Sequence, residues 1–261
     1  MHKGQLWTFW PAEAPKMEPP GLHYKGFPLF LFFLLALTAL FNLTFINNEL
    51  WQDELYTLDN FVLVPVSKTL TDYHSTNNHL IFSLLSNIYL KIAGISNLHT
   101  LMESPWIIRL LPYCITLLTI PCFYFLTRRI FGSLFSAIAT LLLATSLETY
   151  SFGTLVRGYS LEILLSTLLL LWILRYQQTS DKRLLLPIAL VSAAGLLNLP
   201  PAIYSEAALW TLLAVSLFSA PAGTPFRPAA PGIDSRYPDR LAVFPYPAAT
   251  DHTQRNILQD R

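Results

Sequence analysis

Long apolar runs separated by short polar breaks fill the chain from Phe27 to Ala220. The first run, residues 27–46, is about twenty residues long, enough to cross a bilayer of about 30 Å as a helix. It exceeds the apolar region of a signal peptide and no small-residue cleavage site follows it, so it predicts an uncleaved anchor. Five more runs predict spans over about 104–126, 130–147, 159–174, 184–199 and 202–220. Ser104-Pro105 opens the second span with proline at the first helical position. Pro112 and Pro121 are expected kinks within it, tolerated where neighbouring helices cover the freed carbonyls. Thr127-Arg128-Arg129 reads as a basic turn, 175–183 as a polar basic loop, and Pro200-Pro201 as the break before the last span.

The stretch 47–104 between the first two spans is too long for a structureless connector, so it predicts helices of its own. Residues 54–66 show no strong period. In 78–93, Leu80, Ile81, Leu84, Leu85, Ile88 and Tyr89 recur at helical spacing, while Asn87 and Lys91 lie off that face. Asn77 or Asn78 can cap this helix and Gly94 can end it. It predicts an amphipathic helix on the outer membrane surface, with packing on a soluble subdomain as the alternative. Residues 1–26 are proline-rich without a period and predict a flexible cytosolic tail. Residues 221–261 turn abruptly to proline, alanine and charge. They predict a disordered tail, as expected of a premature end or a shifted reading frame.

Composition strengthens the membrane assignment. The 261 residues are 53% hydrophobic and 13% charged, too apolar for an ordinary soluble domain. The fold class expected is all-α integral membrane, with about six transmembrane helices and a long first outer loop carrying amphipathic helices. A net charge of +1 gives no electrostatic case for nucleic acid. Cys114 and Cys122 fall in an apolar run and read as buried thiols. The sequon Asn42-Leu43-Thr44 lies inside the first span and reads as a chance match. With a cytosolic amino terminus, Arg128, Arg129, Arg175, Lys182 and Arg183 all fall inside, as the positive-inside rule prefers. The loop 47–104, the turn 148–158 and Pro200-Pro201 then fall outside. Arg157 is the exception, a cation in a short outer turn, for which an anionic ligand is a local reason.

Several residues are candidates for chemistry. Asp53 and Glu54 stand just after the first span, as a solvated face or as a site. His79 opens the amphipathic helix, as a capping or packing group or as a titrating one. Arg157 has the fork of donors that suits phosphate, against a snorkelling role at headgroups. Arg109 either snorkels or pairs with a loop acid. Glu162 and Glu206 lie near span ends, where hydrated or paired structural roles compete with function. Tyr73 and Tyr150 could line a sugar site or join an aromatic belt. No phosphate-cradling glycine loop or metalloprotease helix motif is present, and no Ser/His/Asp set can be singled out.

Taken in order, these segments resemble a known family. They are Leu50-Trp51-Gln52-Asp53-Glu54-Leu55, Asn77-Asn78-His79-Leu80, Arg109-Leu110-Leu111-Pro112, the stretch from Tyr124 to Gly132, and Tyr150-Ser151 through Val156-Arg157-Gly158-Tyr159-Ser160-Leu161. The likeness is to the amino-terminal half of bacterial membrane glycosyltransferases of the C-type fold, the group related to protein O-mannosyltransferases and to the transferase that adds aminoarabinose to lipid A. The resemblance implies a polyprenyl-phosphate sugar donor, an acceptor hydroxyl outside the cytosol, and a multi-pass protein of the inner (plasma) membrane with its site on the outer face. It makes Asp53 the general base and Glu54 the second catalytic acid, orienting the acceptor or Asp53. It assigns Arg157 and Tyr159 to the donor phosphate, and His79 and Arg109 to substrate binding. No metal ligand and no cofactor is assigned, with a divalent ion left open. Leu80 stands where the family usually has proline. Family members run to roughly double this length, so the resemblance implies a truncated enzyme, or one whose further helices come from a partner chain. The alternative is a non-catalytic membrane or assembly module that keeps the fold. A small transporter would show internal repeats or ionisable residues near the span midplane, and neither stands out.

Overall fold

The computed structural model describes the backbone of residues 27–219 and the side chains of residues 29–215. The expected tails, 1–26 and 221–261, lie outside the described residues. Within the described residues every regular element is helical. The first helix, α1, is Phe27–Leu43. Next come α2 (Gln52–Thr57), a π-helical turn (Leu58–Val62), α3 (Val66–Thr71), α4 (Leu80–Ile92) and α5 (Leu98–Glu103). The stretch 47–104 therefore does carry its own helices. They are followed by α6 (Trp106–Phe131), α7 (Ser133–Ala144), α8 (Leu147–Gly153), α9 (Tyr159–Thr179), α10 (Leu185–Asn198) and α11 (Ile203–Ser219), with short 3-10 turns at Lys182–Leu184 and Pro200–Ala202.

Among the described residues two helices are long and apolar enough to cross a membrane, α6 with 26 residues and α9 with 21. At 1.5 Å per residue they reach about 39 Å and about 31 Å. The pair α7 and α8, bent by 53°, makes a third only if it acts as one broken span. By length alone α1 (17 residues), α10 (14) and α11 (17) fall short.

Several expected boundaries shift. Arg128 and Arg129 are the last turn of α6, not a turn between spans. Neither residue breaks a helix, and cations are favoured at its carboxyl end. The break comes at Gly132, whose φ of +78° is left-handed and open to glycine. Part of the expected outer turn 148–158 is α8, opened by Ser146, whose hydroxyl accepts from the Thr149 N–H at 3.2 Å. Helix α9 runs on to Thr179 because Arg175, Tyr176, Gln177 and Gln178 are polar but helix-competent.

Helix α4 buries one side and leaves part of its expected membrane-surface face exposed. Phe82, Ser83, Ser86, Asn87 and Leu90 are buried, while Leu85 and Ile88 are exposed. Asn87 Nδ2 donates to the carbonyls of Val62 and Val64, both at 2.7 Å. The chain leaves regular helix after Val62, and a buried amide satisfies the carbonyls this frees. Neither Asn77 nor Asn78 caps α4, since His79 holds the cap position without a side-chain cap bond. Asn78 Nδ2 instead donates to Thr69 O (3.1 Å) and Asp72 O (2.8 Å), tying the end of α3 to the start of α4.

Helix α6 packs along α9 and α7, and α9 packs along α10 and α11. Leu58, Val62, Phe82, Leu90 and Leu101 share one core with Ile108 and Ile115 of α6, Val156, and Leu161 and Leu164 of α9. That core fixes the short helices on the amino-terminal ends of α6 and α9. Leu169, Ile173, Ile188 and Leu213 join α9, α10 and α11, while Leu34, Ile120 and Ala144 join α1, α6 and α7. Large apolar side chains stay exposed on α1 (Leu29, Phe32, Phe33, Leu40), α7 (Leu134, Phe135, Leu142) and α10 (Leu186, Leu190, Leu197). A lipid environment would cover such a surface. Cys114 also faces outward on α6 and Cys122 is half-buried, against the expectation that both are buried. Asn42 is buried, with its Nδ2 on Thr38 O at 2.9 Å, so its sequon is inaccessible.

Candidate functional site

The two adjacent acids of α2 point to different environments. Glu54 is fully buried. Its Oε2 accepts from the Trp51 N–H at 2.8 Å, as the returning half of a capping box, and from Arg109 Nη2 at 2.8 Å. Its Oε1 accepts from the Val156 N–H at 2.8 Å. One carboxylate thus joins the start of α2, the first turn of α6 and the segment before α9. Arg109, also buried, completes the clamp. Its Nη1 donates to Phe45 O (3.0 Å) and Asn48 O (2.6 Å), and its Nη2 to Glu49 O (2.9 Å). Of the two readings of Arg109, pairing with a loop acid is the one observed. Both side chains are buried and hold these segments together from inside.

Asp53, one position earlier, is on the outside, with a side chain 60% exposed. Its Oδ2 accepts from Arg157 Nη1 at 3.0 Å. The Arg157 Nη2 donates to Asn77 Oδ1 at 3.1 Å, and its guanidinium carbon lies 5.0 Å from the Tyr159 ring centre, a cation–π distance. Three segments distant in sequence therefore meet at one guanidinium. The Glu54 clamp makes this possible, because its bond to Val156 fixes the backbone next to Arg157.

His79 lies beneath this cluster. Its ring centre is 5.4 Å from that of Tyr159, it is 1% exposed, and neither ring nitrogen has a hydrogen-bond partner. Burial pushes its pKa down to about 4, and the Arg157 charge pushes the same way. The nearby Asn198 backbone opposes them weakly, without completing a hydrogen bond to the ring. His79 is thus a neutral, packed imidazole at neutral pH. Gly158 is needed by close approach. A Cβ there would lie 2.7 Å from Asn198 Oδ1 and 2.9 Å from His79 Cβ. The Asn198 Nδ2 donates to Gly158 O at 2.8 Å and to Glu162 Oε2 at 3.3 Å.

The remaining candidates do not touch Asp53 or Arg157. Glu162 and Glu206 are buried, Glu162 accepting from Ser166 at 3.2 Å and Glu206 from the Ser192 hydroxyl. Tyr150 stacks against Phe41 at 3.9 Å between ring centres, and Tyr73 is exposed. Asn77 and Asn198 are the polar groups that sequence reasoning underused. Asn77 stood out as a helix cap and as part of the Asn-Asn-His-Leu segment, without a role of its own, and Asn198 gave no signal beyond a polar residue ending an apolar run. A third cluster was missed, in which Asp72 bonds His74 Nδ1 while His74 Nε2 meets the Tyr56 hydroxyl at 2.9 Å. The bond to His74 holds the Asp72 carboxyl below the usual carboxylate range.

The carboxylates of the cluster are already engaged by donors. Both Glu54 oxygens already accept from N–H groups, and Asp53 shares its place with a cation. Among the described residues no group of three His, Cys, Asp or Glu side chains is gathered for a metal ion. What the cluster offers is an accessible carboxylate beside a braced arginine. That combination can take a proton from a hydroxyl and hold an anion next to it. No family model, curated protein or solved structure matches the chain.

Proposed function

We propose that the chain is a membrane glycosyltransferase, or the part of one that carries its base, using a polyprenyl-phosphate sugar as donor. The observation that carries this reading is the 3.0 Å contact between Asp53 and Arg157, which brings a candidate base and a candidate phosphate ligand together from 104 residues apart. In the proposed reaction Asp53 takes the proton from an acceptor hydroxyl, whose oxygen attacks the anomeric carbon. The bond from that carbon to the phosphate oxygen breaks, and polyprenyl phosphate leaves with the electron pair. The sugar is transferred with inversion. Arg157, backed by Tyr159, stabilises the charge on the departing phosphate. Glu54, Arg109 and His79 act here as positioning residues, a narrower part than the resemblance implies.

In this reading α1, α6, the α7–α8 pair, α9, α10 and α11 make six crossings, with the amino terminus cytosolic. The site then lies on the outer face of the plasma membrane, where α2 and the start of α4 meet the start of α9. A donor anchored in lipid accounts for the lack of any visible nucleotide-binding motif. The test is Asp53→Asn, which keeps the shape and removes the base. Transfer should be lost while membrane insertion and thermal stability stay close to wild type. Retained turnover in the inserted variant would sink the assignment.

A further inference from the structure

The three contacts on Arg157 are unequal. The Nη1 bond goes to a side chain 60% exposed, so it forms at the open edge of the cluster. The Nη2 bond to Asn77 is half-buried, and the guanidinium face rests on Tyr159. Arg157 itself is only 18% exposed, and its Nε is buried without a partner. One arm is therefore open to solvent and to competing anions, and the rest of the group is braced.

Building on the proposed function, we infer that Asp53 is an exchangeable partner of Arg157. The phosphate of a polyprenyl phosphate replaces Asp53 on Nη1, while Asn77 and Tyr159 hold the guanidinium in place. The energetics favour this exchange. An exposed ion pair contributes little, about 0.2–1 kcal/mol. The donor's phosphate is a diester that offers a full negative charge and two non-bridging oxygens to the same fork of donors, and the departing polyprenyl phosphate, a monoester, offers more charge and three oxygens. The guanidinium need not reorganise, because its other contacts stay.

The exchange has a consequence for the base. While Asp53 Oδ2 is bonded to Arg157, that oxygen is not free to accept a proton from a hydroxyl. Arrival of the donor phosphate releases it. Only Oδ2 is held by Arg157, so donor binding frees a second accepting oxygen and favours acceptor activation without being required for it. No covalent bond changes in this step.

Binding to the purified protein in detergent micelles tests the exchange, with farnesyl phosphate as probe. Farnesol controls for the tail and inorganic phosphate for the headgroup. Wild type should prefer farnesyl phosphate to farnesol, and Arg157→Ala should lose that preference. Asp53→Asn should bind farnesyl phosphate tighter by about 1.4- to fivefold, the gain from removing a surface competitor of this strength. Asp53→Ser should shift affinity in the same direction, and inorganic phosphate should bind more weakly than farnesyl phosphate but with the same gain. Unchanged or weaker farnesyl phosphate binding by both Asp53 variants, with the wild-type preference intact, overturns the exchange and leaves the phosphate site standing. A wild type that binds farnesol as well as farnesyl phosphate overturns the functional reading beneath it.

Discussion

Acid should loosen this protein through His79. The ring is buried among Tyr159, Gly158 and Asn198, with no partner on either nitrogen. Its pKa is about 4 in the fold, against an ordinary 6.5. A histidine whose folded pKa is depressed leaves the unfolded chain binding more protons between those two values. Stability is therefore complete above pH 6.5 and falls as pH drops from 6.5 towards 4. The full gap corresponds to about 3.4 kcal/mol, and the part expressed between pH 7 and pH 5 is about 2 kcal/mol. For a domain of this size that lowers the midpoint by about 4–8 °C. The assay is thermal unfolding in detergent at a series of pH values. Wild type is compared with His79→Gln, which cannot titrate. His79→Gln should flatten the acid limb by about that amount. The reasoning fails if His79→Gln keeps the wild-type slope, or if the ring titrates near 6.5 by NMR.

Two further substitutions probe the scaffold under the site. Glu54→Ala or Arg109→Ala leaves a buried charge unpaired and should each cost about 3–5 kcal/mol. The double variant should cost clearly less than their sum, as a thermal or denaturant cycle would measure. Gly158→Ala forces its new methyl against Asn198 and His79. It should destabilise by about 1–3 kcal/mol in the same assay and weaken binding of a phosphate-bearing ligand.

The apolar runs made the helices legible, because hydrophobic continuity over a span needs no tertiary partner to be recognised. They also announced α4 by its period, and Leu85 and Ile88, on the face expected at the membrane surface, are exposed. What the period did not show is the opposite side, where Asn87 is buried by the carbonyls of Val62 and Val64. A buried polar group is decided by what lies across from it, and one-dimensional periodicity does not carry that. Turns failed for the opposite reason. Arg128 and Arg129 look like a loop by polarity but are helix-competent, and the chain turns only where Gly132 allows positive φ. The Asp53-Glu54 pair stood out at once, but their separation into one exposed acid and one buried clamp depends on Arg109 and Val156, which are far off in sequence. The role of Asn198 was invisible for the same reason.

The most direct test of the account is a transfer assay on the purified, reconstituted chain, with a panel of polyprenyl-phosphate sugars and nucleotide sugars for comparison. The account predicts that at least one polyprenyl-phosphate donor is consumed, that the product has inverted anomeric configuration, that nucleotide sugars are untouched, and that Arg157→Ala impairs use of the lipid donor. Transfer from a nucleotide sugar, retention of configuration, or no consumption of any lipid-linked donor would contradict it.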